Sequence, residues 1–484
     1  MRKIVATLTA LLLALSVNAL AASADPARKP AKASLSVELK DFKGDFEAMK
    51  NRRLIRIAVP YSRTLFFNDK GVQRGLTAES IQQFERWLNK KYKTGAHPIT
   101  VLAIPVTRDR MLPMLLDGKA DIAAGNLTIT AERDAKVDFS SPLDAKVDEV
   151  VVTGPTSPAL ASLDDLAGKE VHVRPASSYY DSLKRQNEIF RKASKPQMVL
   201  RVVPDSLEDE DLMEMLNAGI INIIVVDDWK ADIWADILNN LKVHESLKLR
   251  EGGSVGWAFR ENSPQLAAIV NEFLTAQRNT MGSAKQRLVA YQKRMKALKN
   301  PTAESDWQRF EKTIEFFKVY GERYQFDYLM VTAQGFQESG LNQNAKSSVG
   351  AIGIMQIMPA TGKELGVGDI SQVEANIHGG VKYMRRLLDV YFPDADFDET
   401  NRTLFAFAAY NAGPARIAKL RKEAETEGLD HDKWFNNVEL IAAKRVGQET
   451  VGYVRNIYKY YSAYKLQLEM LAARKAAVQS TGSN

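Results

Sequence analysis

Apolar and polar positions change their spacing along this chain, and the change divides it into an alternating part and a helical part. Between residues 53 and 262, short apolar runs of strand length alternate with stretches in which apolar residues recur at helical spacing. The alternation forms two blocks, one ending near residue 124 and one starting near residue 170. Alternating strands and helices predict two α/β lobes with crossover connections. Joined by crossing strands, such lobes form a ligand clamp whose crevice lies at the carboxyl ends of the strands.

The same spacing predicts the elements of the clamp. In the first block we expect strands at Leu54–Val59, Ile99–Val106 and Asp121–Ala124, and helices at Thr77–Tyr92 and Arg110–Asp117. In the second block we expect strands at Glu170–Val173, Met198–Val203 and Asn222–Val226, and helices at Tyr179–Ser194 and Leu207–Ala218. The run Gly252–Phe259 is expected to return to the first lobe. The basic helical stretch Ser263–Thr302 then completes the module, with its joint to the next module at residues 300–302.

From Trp307 onward the apolar spacing is helical throughout. It predicts helices around residues 377–391, 403–410 and 449–461, and Pro414 occupies a first-turn position that favours a helix start. After Tyr464 the residues are small and charged, which predicts a frayed tail. The fold class is therefore multidomain, with a two-lobed α/β domain followed by a mainly α domain.

One carboxylate, Glu338, lies at the end of the first strong helical run in this second part. The apolar residues of that run recur at helical spacing and are Phe326, Leu329, Met330, Ala333 and Phe336. Gly340 marks the helix end, so Glu338 faces the negative end of the helix dipole, which raises its pKa. Apolar neighbours raise it further by desolvation, and they are Ile354, Met355 and Ile357. Such a group can act as an acid near neutrality, although a solvated surface glutamate is the alternative.

The first 50 residues show the pattern of an export signal followed by a linker, and not that of a folded domain. Residues 1–24 combine a basic start, a short apolar run and small-residue cleavage sites, which is typical of a secretory signal peptide. Residues 25–50 are rich in Pro, Ala and Lys at their start and are interpreted as a linker. The chain has no cysteine, which excludes disulfides and a lipid-modified cysteine.

Charge and composition exclude several classes of function. The net charge is +7, and removal of Arg2 and Lys3 leaves 7 − 2 = +5, which suits an acidic surface such as cell-wall peptide or anionic lipid. Because the basic residues are scattered and no nucleic-acid-binding motif is present, we expect no nucleic-acid partner. The five histidines show no metal-ligand spacing, and no Gly-rich phosphate loop occurs, so we predict no metal and no cofactor.

Four short motifs of the helical part resemble the soluble-lytic-transglycosylase family when they are taken in order. They are Glu338–Ser339, Gly353–Gln356, Ala409–Gly413 and Glu449–Val454. The second has Ile where the family more often has Leu, a change between apolar residues. The resemblance implies a lysozyme-like domain that cleaves the bond between N-acetylmuramic acid and N-acetylglucosamine and leaves a 1,6-anhydro ring.

The resemblance assigns the catalytic role to Glu338, with Glu449 as the weaker alternative. It also implies that residues of the same motifs contact the sugar. Tyr453 is expected to form a hydrogen bond either with Glu338 or with the sugar. These substrate-binding residues are Ser339, Gln356, Tyr410, Asn411 and Tyr453. The alternatives are structural: Tyr410 as a ring of the core and Asn411 as part of the turn into Gly413.

The clamp resembles the family 3 extracellular solute-binding proteins over residues 53–262. The matching segments are Asp121–Gly125, Thr130–Arg133, Val137–Pro142, Ser177–Tyr179 and Val225–Asp227. The resemblance implies that Arg133 holds a ligand α-carboxylate with a bidentate fork and that Asp227, with Asp228 as its rival, holds the α-amino group. Further ligand-binding candidates are Thr130, Ser177, Asn126 and Tyr61. Alternatively, Arg133 forms a surface ion pair and Ser177 merely caps its helix.

Together these observations predict a periplasmic-binding-protein-like domain at residues 51–300, a catalytic domain at 301–464 and a tail at 465–484. A clamp followed by such an enzyme resembles the membrane-bound lytic transglycosylase F family, which implies a periplasmic enzyme peripherally attached to the outer membrane. Its partners would be peptidoglycan strands and an amino acid or muropeptide effector. The alternatives are a lysozyme-type hydrolase, a catalytically silent sensor and a transport receptor.

Overall fold

The computed structural model of the chain describes residues 41–69, 71–142, 146–277 and 299–481, together with Gln286 and Val289. The predicted signal peptide and residues 25–40 lie outside the described residues. The predicted linker end is wrong, because helix α1 (Phe46–Arg52) belongs to the first lobe. Its Phe46 and Met49 side chains are buried, and the carboxylate of Asp45 accepts hydrogen bonds from the backbone of Gln265 and Leu266.

The first lobe alternates strands and helices as expected. Its elements are β1 (Leu54–Pro60), β2 (Phe67–Asp69), β3 (Val72–Arg74), α2 (Leu76–Lys91), β4 (Thr100–Val106), α3 (Arg108–Leu116), β5 (Ile122–Thr128), α4 (Ala131–Asp134) and β6 (Asp138–Phe139). Strands β4, β1 and β5 are parallel neighbours, which is the arrangement that crossover helices produce.

The second lobe repeats this construction. Its elements are β7 (Val147–Thr153), a 3₁₀ turn (Leu163–Leu166), β8 (Glu170–Val173), α5 (Ser178–Lys192), β9 (Val199–Val202), α6 (Asp209–Asn217), β10 (Ile223–Asp227), α7 (Asp228–Ala235) and β11 (Lys242–Gly253). The sheet order is β11-β7-β10-β8-β9, with β8 parallel to β9 and β10 and with β7 antiparallel to both of its neighbours.

The chain returns to the first lobe as predicted. Strand β12 (Val255–Phe259) pairs with β5 and β6, which gives the order β4-β1-β5-β12-β6, and α8 (Pro264–Gln277) packs its apolar face on the same lobe. The chain therefore crosses between the lobes twice, once between β6 and β7 and once between β11 and β12. This confirms the predicted two-lobed α/β clamp.

The remaining described residues form a helical domain. Its helices are α9 (Glu304–Tyr324), α10 (Tyr328–Ser339), α11 (Pro359–Leu365), α12 (Val373–Tyr391), α13 (Glu399–Ala412), α14 (Pro414–Thr426), α15 (Glu439–Arg445) and α16 (Gln448–Thr481), with a π turn at Trp434–Val438. Helix α16 continues through the predicted tail to Thr481, and the fraying of this end stays a prediction. None of the helices in the described ranges has both the length and the apolar character needed to cross a bilayer.

The helical domain packs on both lobes, because α15 lies against β2 and α16 forms ion pairs with α6. One continuous apolar cluster contains second-lobe residues such as Val151 and Met213 together with Phe336 and Tyr464 of the helical domain. The first lobe has two apolar clusters of its own, around Phe84 and Met111. First-lobe residues such as Leu65 also belong to the shared cluster, so the helical domain has a common core with both lobes.

Candidate active site and clamp crevice

Helix α10 carries Glu338 in its last turn, where the apolar spacing predicted it. The side chain of Asp327 accepts hydrogen bonds from the backbone of Leu329 and Met330 and so begins the helix. Gly340 ends it in the left-handed conformation, with φ of 67°. The helix is buried over most of its length, and the Glu338 side chain emerges half-buried at its end.

Burial is the main reason for the raised pKa of Glu338, and the hydrogen bond from Tyr453 opposes it. The Tyr453 hydroxyl lies 2.5 Å from Glu338 Oε1 and accepts a hydrogen bond of 3.3 Å from Gln334 Nε2. Gln334 is one helical turn before Glu338, a spacing that was visible in the sequence but carried no motif. The three side chains form a chain of hydrogen bonds that ends at the Glu338 carboxyl group.

The loop after α10 is fixed by side chains that belong to the predicted motif. Ser339 Oγ lies 2.9 Å from the carbonyl oxygen of Ile354, to which it can donate, and it accepts a hydrogen bond of 3.0 Å from the backbone of Asn342. The amide of Gln356 donates to the carbonyls of Gly353 and Ala345. Both polar groups hold the loop in this structure, and their predicted contacts with sugar stay predictions.

Asn376 holds the same loop from α12 and was not found by sequence reasoning. Its side chain, which is 0% exposed, accepts a hydrogen bond from the backbone of Met355 and donates to the carbonyls of Ile352 and Ile370. A buried Asn inside a helix carries no motif of its own, so nothing in the sequence pointed to it. It positions the loop that faces Glu338.

Tyr410 and Asn411 end α13 beside this loop. The Tyr410 hydroxyl donates a hydrogen bond of 2.7 Å to the carbonyl of Met355, and burial followed by the charge of Glu338 raises its pKa. Tyr410 therefore lies near Glu338, and its hydroxyl also supports the loop. Asn411 is exposed at the helix end. Its predicted role toward the acetamido group stays a prediction.

Three of the acids that follow Glu338 have hydrogen-bond or ion-pair partners elsewhere. Glu364 pairs with Arg386, Asp369 accepts from Ser371, and Glu374 accepts from Tyr320. Glu449 is exposed in the first turn of α16, where a helix-start charge is expected. None of these acids is among the groups that shift the pKa of Glu338.

Replacing Gly353 with alanine is expected to weaken the site. Its backbone has φ of 80°, and a Cβ there would lie 2.2 Å from the Asn376 side chain. The clash displaces the side chain that holds the loop, so we expect a loss of about 1–3 kcal/mol of stability and a fall in any activity that depends on Glu338. Gly350→Ala is the matched control, because its φ is 91° and nothing lies within 4 Å of the added Cβ. Equal losses of unfolding free energy in the two variants would contradict this role of Asn376.

The clamp contains a crevice of about 410 Å³ between its lobes. Four of the predicted ligand residues line it: Asn126, Arg133, Ser177 and Asp227. Ser177 begins α5 by accepting from the backbone of Tyr180, and Asn126 has φ of 50° at the end of the first-lobe sheet. Their location agrees with the expected position of a ligand site at strand ends.

Two predicted ligand residues lie elsewhere. Thr130 is not among the residues that line the crevice, and its side chain begins the short helix α4. Tyr61 lies against the helical domain, where its hydroxyl accepts a hydrogen bond of 3.0 Å from Gln448 and Arg455 stacks over its ring. For Tyr61 the predicted position at the crevice is therefore wrong, because α16 covers the side of the lobe that carries it.

Further charged residues of the crevice were missed. Arg108, Arg174 and Lys230 line it beside the predicted Asp227. Lys230 lies three residues after Asp227, so the spacing was readable, but the burial that brings the two groups together was not. The crevice is thus more highly charged than the motifs alone indicated.

A buried ionic network joins the clamp to the helical domain. Lys459 of α16 lies 2.6 Å from Glu214 and 3.2 Å from Asp211 of α6, and Arg63 of the first lobe lies 2.8 Å and 3.1 Å from the same two acids. Burial alone would raise the pKa of Asp211, but Lys459, Arg63 and Arg455 hold it below its usual range. The network therefore fixes α16 to both lobes.

Comparison with known proteins gives two family matches in one chain. Residues 55–287 match the model of bacterial extracellular solute-binding proteins, family 3, and residues 315–433 match the transglycosylase SLT domain. A membrane-bound lytic murein transglycosylase F from Ectopseudomonas mendocina (strain ymp) is 27% identical over 435 residues, covering 86% of this chain and 85% of the relative. The corresponding protein of Shewanella halifaxensis (strain HAW-EB4) is 26% identical, covering 83% of each chain.

Solved structures also match the clamp. The amino acid ABC transporter substrate-binding protein AbpA from Streptococcus pneumoniae, bound to L-arginine, covers 52% of this chain and 100% of its own, with 18% identity and a TM-score of 0.42. The two family matches, in the predicted order, confirm a solute-binding clamp followed by a transglycosylase domain. The relatives matched over most of the chain confirm the predicted resemblance to membrane-bound lytic transglycosylase F.

Proposed function

We propose that this chain, which joins a family 3 solute-binding clamp to a transglycosylase SLT domain, is a peptidoglycan lytic transglycosylase. It cleaves the bond between N-acetylmuramic acid and N-acetylglucosamine without water and leaves a 1,6-anhydromuramoyl end. The observation that carries this proposal is the half-buried carboxyl group of Glu338, which accepts a hydrogen bond from Tyr453, a residue 115 positions later in the chain.

The first step of this reaction needs an acid. Most glycosidases place a second carboxylate across the scissile bond, either as nucleophile or as base for water. In this chain Glu338 protonates the glycosidic oxygen, while the acetamido group of the muramoyl sugar stabilises the positive centre that develops. Burial raises the pKa of Glu338 and so supplies the protonated form that this step uses.

The second step needs a base at the same place. After the bond breaks, Glu338 is a carboxylate and accepts the proton of the muramoyl C6 hydroxyl, whose oxygen closes the anhydro ring on C1. The hydrogen bond from Tyr453 favours the carboxylate form and opposes the effect of burial. Burial and this hydrogen bond thus act on the pKa of Glu338 in opposite directions, and burial has the larger effect.

Location is part of the proposal. A leader of the secretory type at residues 1–24 supports export to the periplasm, and relatives named as membrane-bound support attachment to a membrane, which we propose is the outer membrane. The chain has no cysteine for lipid attachment, so the attachment is peripheral. The net charge of +5 after removal of the leader (7 − 2) attracts the protein to anionic surfaces.

The clamp regulates the enzyme in this proposal. Helix α6 carries Asp209, which lines the crevice, and two and five residues later Asp211 and Glu214, which hold Lys459 of α16. Helix α16 also carries Tyr453, the partner of Glu338. A ligand that closes the crevice moves α6 and so acts on α16, provided that it binds two states of the clamp with different affinity.

This regulation is tested by murein turnover of the full chain with and without a compound that calorimetry shows to bind the crevice. We expect turnover to change about fivefold or more, within the usual range of coupling free energies. Lys459→Met removes the ammonium from the α6–α16 contact and is expected to reduce the response, whereas Lys465→Met, on an exposed residue of the same helix, is not. Identical murein turnover with and without bound ligand would contradict the proposal that the clamp regulates the enzyme.

The enzymatic proposal is tested by mass spectrometry of the muropeptides that the protein releases from purified sacculi. Anhydromuropeptides are lighter than the corresponding hydrolysis products by one water. We expect the lighter series. A lysozyme-type hydrolase would release only products with reducing ends, and a silent sensor would release none.

A further inference from the structure

A lysine of the protein is paired with Asp227, the carboxylate that is predicted to hold the ammonium group of a free amino acid. Lys230 Nζ lies 3.2 Å from Asp227 Oδ2, 2.6 Å from Asp209 Oδ2 and 3.0 Å from the Tyr179 hydroxyl. The residue is 3% exposed. The carboxylate expected to hold an α-ammonium is therefore already paired with an ammonium of the chain.

The other acids around this position are also matched. Arg174 pairs with Asp209 and Glu208, and Arg108 lies 2.9 Å from the second oxygen of Glu208. The three acids Asp209, Asp227 and Glu208 thus face three cations, Lys230, Arg174 and Arg108. A ligand ammonium would add a fourth positive charge beside a desolvated Lys230, which is strongly unfavourable in a buried site.

One carboxylate oxygen of Asp227 can still accept a hydrogen bond from a neutral donor. It is 2% exposed, and within the described ranges its Oδ1 has no hydrogen-bond partner. A buried acceptor without a donor costs free energy unless a ligand satisfies it. An amide N–H satisfies it without bringing a charge.

Arg133 provides the complementary position for a carboxylate. Its guanidinium donates to the backbone carbonyls of Thr128 and Ala176, and the part of the chain that the structure describes gives it no acidic partner. Burial, followed by the neighbouring Arg108, lowers its pKa, so the more weakly acting Asp181 only partly compensates its charge. A ligand carboxylate would compensate it with a bidentate pair.

From this arrangement we infer that the crevice selects α-carboxylates whose nitrogen is acylated, such as N-acyl amino acids, and rejects free α-amino acids. The carboxylate binds Arg133, and the amide N–H donates to Asp227 Oδ1. A crevice of about 410 Å³ is within the usual size of small-molecule sites. The inference rests on the ligand-binding role proposed for the clamp and does not depend on the chemistry at Glu338.

The test is isothermal titration calorimetry of the full mature chain with matched pairs of ligands. The probes are L-alanine, L-leucine, L-glutamate and L-arginine, each beside its Nα-acetyl derivative. We expect at least one acetyl derivative to bind about tenfold or more tightly than its parent amino acid. Tighter or equal binding of the free amino acid in every pair, or binding of no acetyl derivative, would overturn the inference.

Two variants sharpen this measurement. Lys230→Met removes the ammonium that pairs with Asp227, so free amino acids are expected to gain about tenfold or more in affinity relative to their acetyl derivatives. Arg133→Met removes the carboxylate position and is expected to abolish binding of both kinds. An unchanged preference in a folded Lys230→Met protein would contradict the role of Lys230, and the wild-type pairs decide the inference if this variant does not fold. Murein cleavage measured on the same preparations reports separately on the proposed enzyme activity.

Discussion

Replacing Glu338 with glutamine is expected to lower the release of muropeptides from sacculi by about a thousandfold or more. General acid–base catalysis contributes about 10²–10⁴-fold when one group performs it, and here the same carboxyl serves both steps. The amide keeps the size of the side chain and can still accept from the Tyr453 hydroxyl, which now lies 2.5 Å from Glu338 Oε1. The fold should therefore remain intact, as thermal unfolding would show.

Glu364→Gln is the matched control for this substitution. Glu364 undergoes the same chemical change, but its exposed side chain pairs with Arg386 at the surface. A surface ion pair contributes little to stability, so we expect nearly wild-type cleavage. Nearly full activity of Glu338→Gln would contradict the proposed role of Glu338 as the catalytic acid and base. Parallel losses in both variants would point to a general effect of lost charge.

Replacing Tyr453 with phenylalanine is expected to lower kcat by about 10- to 100-fold. The variant loses the hydrogen bond to the Glu338 carboxylate, and hydrogen bonds to charged groups contribute about 1.5–3 kcal/mol. Tyr464→Phe is the control on the same helix. Tyr464 is buried, and its hydroxyl has no hydrogen-bond partner within the described part of the chain. Its loss should leave kcat unchanged.

The pH profile of Tyr453→Phe separates a role at Glu338 from a merely structural one. The Tyr453 hydrogen bond lowers the pKa of Glu338 against the larger effect of burial, so its removal raises that pKa further. The first step uses protonated Glu338, and activity is lost as the pH rises through its pKa. We therefore expect the alkaline limb of kcat/KM to move to higher pH in the variant. A slower variant with an unmoved profile would contradict the contact.

Much of the clamp was predictable because its buried parallel strands read as continuous apolar runs. The strand Glu170–Val173 agrees with its prediction at both ends. Strand β11 was not predicted, because it is largely polar, lies at the edge of its sheet and pairs with β7 through shifts of register. Helix α1 was missed for a related reason: only two of its residues are buried, and residues of the distant α8 complete its packing.

The active site was predictable where a motif marks it. Glu338 and Tyr453 are 115 residues apart in sequence, and only their motifs indicated that they meet. Asn376 and Gln334 support the same site without any motif, so their roles follow from packing alone. Tyr61 shows the opposite case, in which a strand-end position indicated a ligand site but the helical domain covers the residue.

The route of the second step is the central claim, and digestion of purified sacculi in water labelled with heavy oxygen tests it most directly. If the muramoyl C6 hydroxyl closes the ring, the products carry no label and are lighter by one water than reducing-end muropeptides. That is the result we predict. Reducing-end products that carry one labelled oxygen would show that water attacks C1. They would contradict the proposal that Glu338 accepts the proton of the muramoyl C6 hydroxyl while that oxygen closes the ring.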